Sequence, residues 1–79
     1  MKRQAKLLKQ YRSRKRITQR DLGDALGYAS AQFISNMERS LCDIPNELMP
    51  DLCRMLGIPK HDIVEAKISD IHDKIWSYF

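Results

Sequence analysis

The sequence predicts an all-α chain, a compact bundle of about five helices, and three observations carry that expectation. Apolar residues recur at three- and four-residue intervals in successive segments. Gly27, Pro45, Gly57 and Pro59 punctuate those segments where helices stop and start. No stretch shows the apolar–polar alternation of a half-buried strand. The 79 residues make one domain, without room for a second core.

The first helix is expected over residues 3–15, with Ala5, Leu7, Leu8 and Tyr11 as its apolar stripe. Thr18 is a good N-cap for the second, and Asp21, three residues on, completes a variant of the capping box. This helix runs through Leu22, Ala25 and Leu26 and stops at Gly27. Ser30 is the expected cap of a third helix that reaches about Arg39 and buries Ile34 and Met37, with Phe33 beside them. A loop follows from Ser40 to Ile44. The fourth helix lies within 45–56 and carries Leu48, Leu52, Met55 and Leu56, with Pro45 in its first turn. Pro50 lacks an amide proton, so this helix starts late or opens with an irregular turn. Gly57-Ile58-Pro59 ends it, and a last helix runs from about Lys60 to Tyr78.

Charge is uneven along the chain. The first twenty residues hold nine of the fourteen basic side chains and no acid, whereas residues 43–79 hold seven acids against four bases. A basic end suits a polyanion, because neutralising phosphates releases counterions and gives sequence-independent affinity for nucleic acid. The same run is also compatible with a solvated helix face or a membrane-surface arm. No apolar run is long enough to span a bilayer. The basic N-terminus lacks a following apolar stretch, so no secretory signal is expected and the chain is read as cytoplasmic. Cys42 and Cys53, eleven residues apart with no CxxC pattern, are read as reduced thiols.

Enzymatic chemistry is not expected. His61 and His72 have Asp62 and Asp73 beside them, but nothing completes a metal shell. Neither histidine has a nucleophile and an orienting acid near it in sequence, and no glycine-rich phosphate loop is present. No catalytic residue, metal or cofactor is therefore assigned.

Residues 18–39 are the most informative stretch: two short amphipathic helices joined by a glycine turn, the second polar and uncharged on its outer face. That is the pattern of a DNA-binding helix-turn-helix. Gly23 sits where the two helices pass closest, and Gly27 permits a positive φ at the turn. Leu22, Leu26, Tyr28, Ile34 and Met37 close a small core beneath them. Ser30, Ala31, Gln32, Ser35 and Asn36 remain on the outer face as candidate base-reading residues. Glutamine and asparagine pair bidentately with adenine in the major groove, and small neighbours allow close approach. An ordinary helical hairpin with a solvated face is the plainer alternative.

Residues 4–58 resemble the phage repressor and Cro type of helix-turn-helix domain, also called XRE-like or lambda-repressor-like. The matching elements are Arg12, Thr18-Gln19, Leu22-Gly23, Leu26-Gly27, Ser30, Ile34-Ser35, Met37-Glu38-Arg39, Pro45 and Leu56-Gly57-Ile58. The resemblance implies five helices with the third in the major groove, and Gln32 and Asn36 as the main base readers. It implies a phosphate contact from Gln19 at the start of the second helix and a structural ion pair between Arg12 and Glu38. Arg39 and Ser40-Leu41 would lie near the DNA backbone. Arg14, Lys15, Arg16 and Arg20 complete the phosphate-binding set, since the recognition face itself has no lysine. The chain departs from the family pattern in three places. Gly27 and Glu38 are eleven residues apart rather than ten, so one residue is inserted around Tyr28-Ala29-Ser30. Gly23 replaces the commoner alanine. Ser40 stands where glycine is frequent, which predicts a less sharp turn after the third helix.

In the tail, Val64, Ile68, Ile71, Ile75 and Tyr78 recur at intervals of four and three, a short heptad-like stripe, and Trp76 and Phe79 add to it. The stripe is read as a homodimer interface that would place two recognition helices about 34 Å apart. The alternative is that it folds back on its own core. Residues 1–58 are accordingly assigned as the DNA-binding unit, and 59–79 as a helix that completes the same domain and dimerises. The chain is expected to be a dimeric, sequence-specific regulator of transcription, prokaryotic or phage, a repressor or autoregulating controller that binds double-stranded DNA at an inverted repeat. The other reading is a protein-interaction module, antitoxin-like, whose C-terminal helix masks a partner.

Overall fold

A computed structural model describes residues 2–79; Met1, the first residue of the expected DNA-binding unit, lies outside it. The helices are α1 (Arg3–Arg14), α2 (Gln19–Ala25), α3 (Gln32–Glu38), α4 (Met49–Leu56) and α5 (Lys60–Trp76). A single 3-10 turn, Asn46–Leu48, leads into α4. No strand occurs among the described residues, so the fold is an all-α bundle.

The core is one apolar cluster to which every helix contributes. Leu8 from α1, Leu22 from α2, Ile34 and Met37 from α3, Leu52 and Leu56 from α4 and Ile63 from α5 are all buried. Ile44 and Ile58, from the connections, close it. In α2 the buried face is Leu22 and Gly23, and Ala25, expected in the stripe, is exposed. α1 packs against both α3 and α5, α2 against α3, and α4 against α5.

Three helix ends use one device. After α2, the amide of Tyr28 donates to the Gly23 carbonyl at 2.9 Å and that of Gly27 to Asp24 at 3.1 Å, with Gly27 at φ +86°. This is a Schellman motif, which satisfies carbonyls the helix leaves unpaired. The same pair of bonds closes α1 through Arg16 (φ 56°) and α3 through Ser40 (φ 63°). The turn after α3 is therefore as sharp as a glycine would make it, contrary to the expectation for Ser40. The left-handed conformation costs an L-residue about 1–2 kcal/mol. At Ser40 a compensating bond exists, since its Oγ accepts from the Lys2 amide at 3.0 Å.

Thr18 and Asp21 form a complete capping box: the Asp21 amide donates to Thr18 Oγ1 at 3.0 Å, and the Thr18 amide to Asp21 Oδ2 at 3.3 Å. α1 has no cap of its own, because Lys2 offers no acceptor and its first turn holds no acid. Its cap comes from α5, where the Asp70 carboxylate accepts from the amides of Arg3 (2.8 Å) and Gln4 (3.0 Å). Gln4 is fully buried with both ends of its amide used, accepting from the Ile44 amide and donating to Asp43. Among the described residues, no buried side-chain nitrogen or oxygen lacks a partner. Pro50 is tolerated because it falls in the first turn of α4, where its amide would have no helical acceptor.

Candidate nucleic-acid interface

α3 owes its position to α1 and α2. Ile34 and Met37 point into the core and fix its inner face. Its start is set by an unusually close approach. A Cβ built on Gly23 would lie 3.0 Å from the Ser30 carbonyl oxygen and 3.8 Å from the Ala31 Cα. The chain leading into α3 thus lies directly on α2, and a side chain at position 23 would fit only if the Ser30 carbonyl gave way by a few tenths of an ångström.

The connection between α2 and α3 is long enough to hold four residues beyond Gly27. Tyr28, Ala29, Ser30 and Ala31 are all non-helical, and α3 begins at Gln32. Ser30 is therefore not the N-cap, as expected, but the residue before it. Ala31 is the N-cap and contributes no side-chain bond. The Ser30 hydroxyl still accepts from the Gln32 amide at 3.3 Å, serving one of the unpaired donors of the helix start. Tyr28 and Phe33 brace the connection edge to face, their rings 4.8 Å apart.

The outer side of α3 is polar and uncharged. Gln32 is exposed, Ser35 and Asn36 are half-buried, and Ala31 is half-buried beside Gly23. Gln32 and Asn36 are one turn apart, and Gln32 Nε2 donates to Asn36 Oδ1 at 2.9 Å. This bond consumes one donor and one acceptor. It leaves the Gln32 Oε1 acceptor and the Asn36 Nδ2 donor outside that bond. Adenine offers a complementary donor and acceptor in the major groove, at N6 and N7, whereas guanine offers two acceptors.

Behind this face lies a buried polar junction. Arg12 grips Glu38 with two bonds, Nε to Oε2 at 2.6 Å and Nη2 to Oε1 at 3.0 Å. Its third nitrogen, Nη1, donates to the Ile17 carbonyl at 2.7 Å. Gln19 Nε2 donates to Glu38 Oε1 at 3.1 Å. The junction joins the end of α1, the α1–α2 turn, the start of α2 and the end of α3. The Glu38 hydrogen bond pushes the Arg12 pKa above its ordinary value, against an opposing effect of burial, so the guanidinium stays charged. The Gln19 side chain, expected on a phosphate, is turned inward here and acts as a bridge between α2 and α3.

Around this unit, Arg14, Lys15, Arg16, Arg20 and Arg39 are exposed. Arg14 stacks over the Tyr11 ring at 4.8 Å. Lys15 and Arg16 form the turn into α2, and Arg20 lies in its first turn. In contrast, Lys2 is paired with Asp43 at 2.7 Å, and Arg3 donates to Ser69.

The matching family model decides what this arrangement is: it is described as a helix-turn-helix domain and covers residues 5–66, from α1 into α5. The chain belongs to the helix-turn-helix domain family. No curated protein and no solved structure matches it significantly. The helix-turn-helix of this domain is α2 and α3, and the family region extends past Ile58 to include Ile63 and Ala66, the two buried residues of α5.

The rest of this helix-turn-helix domain offers little other chemistry. His61 contacts Glu65 at 3.1 Å and His72 contacts Asp73 at 3.4 Å, and no group of three metal-ligating side chains gathers among the described residues. Both cysteines are free, and burial pushes the Cys53 thiol pKa up, which makes its thiolate scarce. No helix is long and apolar enough to cross a membrane. Sequence reasoning missed Asp70 and Gln4, whose partners lie 40 to 67 residues away and leave no local signal.

Proposed function

We propose that this helix-turn-helix domain is a sequence-specific DNA-binding regulator of transcription, of the phage repressor and Cro type, acting by occupying an operator. The family match over residues 5–66 carries the reading. In this reading α3 enters the major groove with Gln32 and Asn36 as base readers, and Ser30, Ala31 and Ser35 permit close approach. The Gln32–Asn36 bond makes the two amides one reading element suited to adenine. Arg14, Lys15, Arg16, Arg20 and Arg39 neutralise phosphates, and Gln19, held by Glu38, presents the first amides of α2 to the backbone.

The domain works as a homodimer on an inverted repeat, with Val64, Ile68, Ile71, Ile75, Trp76, Tyr78 and Phe79 forming the interface. All seven are exposed in the single chain, which supports their being covered by another. The same exposure favours one further reading, an antitoxin-like subunit whose α5 covers a different protein.

Two alanine variants test the roles. Asn36→Ala weakens binding to a selected site and relaxes discrimination at particular base pairs, leaving random DNA unaffected. Arg14→Ala weakens binding to both and makes the salt dependence shallower by about one counterion. Equal losses on selected and random DNA for both variants would remove Asn36 as a base reader.

A further inference from the structure

Only the first half of α5 belongs to the bundle. Ile63 and Ala66 are its buried residues, while every residue from Ile71 to Phe79 is exposed. An isolated helical segment this short is marginal in water, so the overhanging half needs cover. The stripe it carries has a regular order. His61, Val64, Ile68, Ile71, Ile75 and Tyr78 are spaced three, four, three, four and three residues apart. That spacing is symmetric about the point between Ser69 and Asp70. It is also where the packed half ends, because Ser69 and Asp70 bond to Arg3 and Gln4 of α1 on the other side of the helix.

We infer that two copies pair through α5 in antiparallel fashion, about a two-fold axis at Ser69-Asp70; the inference rests on the homodimeric reading. The pairing sets Val64 opposite Ile75 of the second copy and Ile68 opposite its Ile71. His61 meets Tyr78 of the second copy at each end. Every overhanging half then lies along the packed half of the other α5, so each bundle covers what the other leaves bare.

Two further features fit. Glu65 and His72 lie one heptad apart on one flank of the stripe, and antiparallel pairing brings Glu65 of each copy to His72 of the other, an acceptor to a ring N–H. On the opposite flank Lys67 is turned back onto the Ile44 carbonyl and Asn46, so it does not oppose Lys74 of the second copy. At the start of the stripe, Val64 also borders an open groove of about 370 Å³ between α4 and α5, walled by Met49, Cys53 and Ile63. The terminal aromatic residues of the second copy arrive beside it. Three aromatic side chains of about 150–250 Å² each, with four aliphatic ones, approach the roughly 800 Å² per partner of a standard interface.

Disulfide trapping tests the arrangement in the full chain with Cys42 and Cys53 replaced by serine. Circular dichroism checks that each variant folds, and sedimentation gives the oligomeric state of the parent. Val64→Cys and Ile75→Cys proteins, mixed and mildly oxidised, should form a cross-linked heterodimer, while neither cross-links alone. The Ile68→Cys and Ile71→Cys mixture should behave the same way at the second layer. Self-cross-linking of Val64→Cys alone would mean a parallel pair and overturn the inference. A parent that sediments as a dimer but yields no cross-link in either mixture would overturn the arrangement and leave the dimer. A parent that stays monomeric at all concentrations would overturn both.

Discussion

Removing Glu38 should strand a charge at the centre of the domain. Glu38 is 2 % exposed and accepts three hydrogen bonds, two from Arg12 and one from Gln19. In Glu38→Leu the Arg12 guanidinium, whose side chain is 13 % exposed, keeps only the Ile17 carbonyl. Breaking one side of a buried pair costs about 3–5 kcal/mol. A domain of this size holds roughly 4–12 kcal/mol in total. The expected fall in Tm is about 12–40 °C, at about 4–8 °C per kcal/mol. The double variant Arg12→Met/Glu38→Leu removes both charges and should recover most of the loss. It should fall short of the parent by about 1–3 kcal/mol, because the Ile17 carbonyl then lacks its donor. Urea unfolding followed by circular dichroism, at one fixed protein concentration, gives all four corners of the cycle. The reasoning fails if Glu38→Leu alone costs under about 1 kcal/mol, or if the double variant is no better than the sum of the singles.

Gly23→Ala should destabilise by about 1 kcal/mol, because the push of its Cβ against the Ser30 carbonyl exceeds the helix propensity gained; a rise in Tm would show that the turn yields freely. Asp70→Ala removes the carboxylate that caps the start of α1 and should cost about 0.5–2 kcal/mol in urea unfolding, with no change in the salt dependence of DNA binding. The Lys2 hydrogen bond holds the Asp43 pKa below its ordinary 3.8. Its contribution is therefore complete above the unfolded value and is lost as pH falls through the folded one. Asp43→Asn should flatten the stability profile below about pH 4, and an unchanged acid limb would remove Asp43 from the account.

The helices were legible because each carries a local signal. Thr18-Asp21 marks the start of α2, Gly27 its end, and Gly57 the end of α4. What the sequence hid was set by contacts between distant parts. Ser30 looks like a cap, but the connection is held down on Gly23, so the chain is still turning at Ala31. The Ser30 carbonyl lies over α2, and glycine at position 23 accommodates it. Ser40 and Arg16 adopt positive φ without being glycine, held by Schellman bonds that no single-residue preference foretells. At the candidate interface, the polar outer face of α3 was readable from its residue types. The Gln32–Asn36 bond and the inward turn of Gln19 depend on side-chain choices that spacing does not determine.

The most direct test of operator recognition is selection of bound sequences from a random double-stranded DNA pool, with purified protein near physiological salt. An enriched inverted repeat containing adenine within each half-site is expected, with half-site centres about 34–36 Å apart, one helical turn. Weak, salt-sensitive binding with no enriched motif would contradict it, leaving only phosphate neutralisation by the basic residues and moving the function to whatever covers α5.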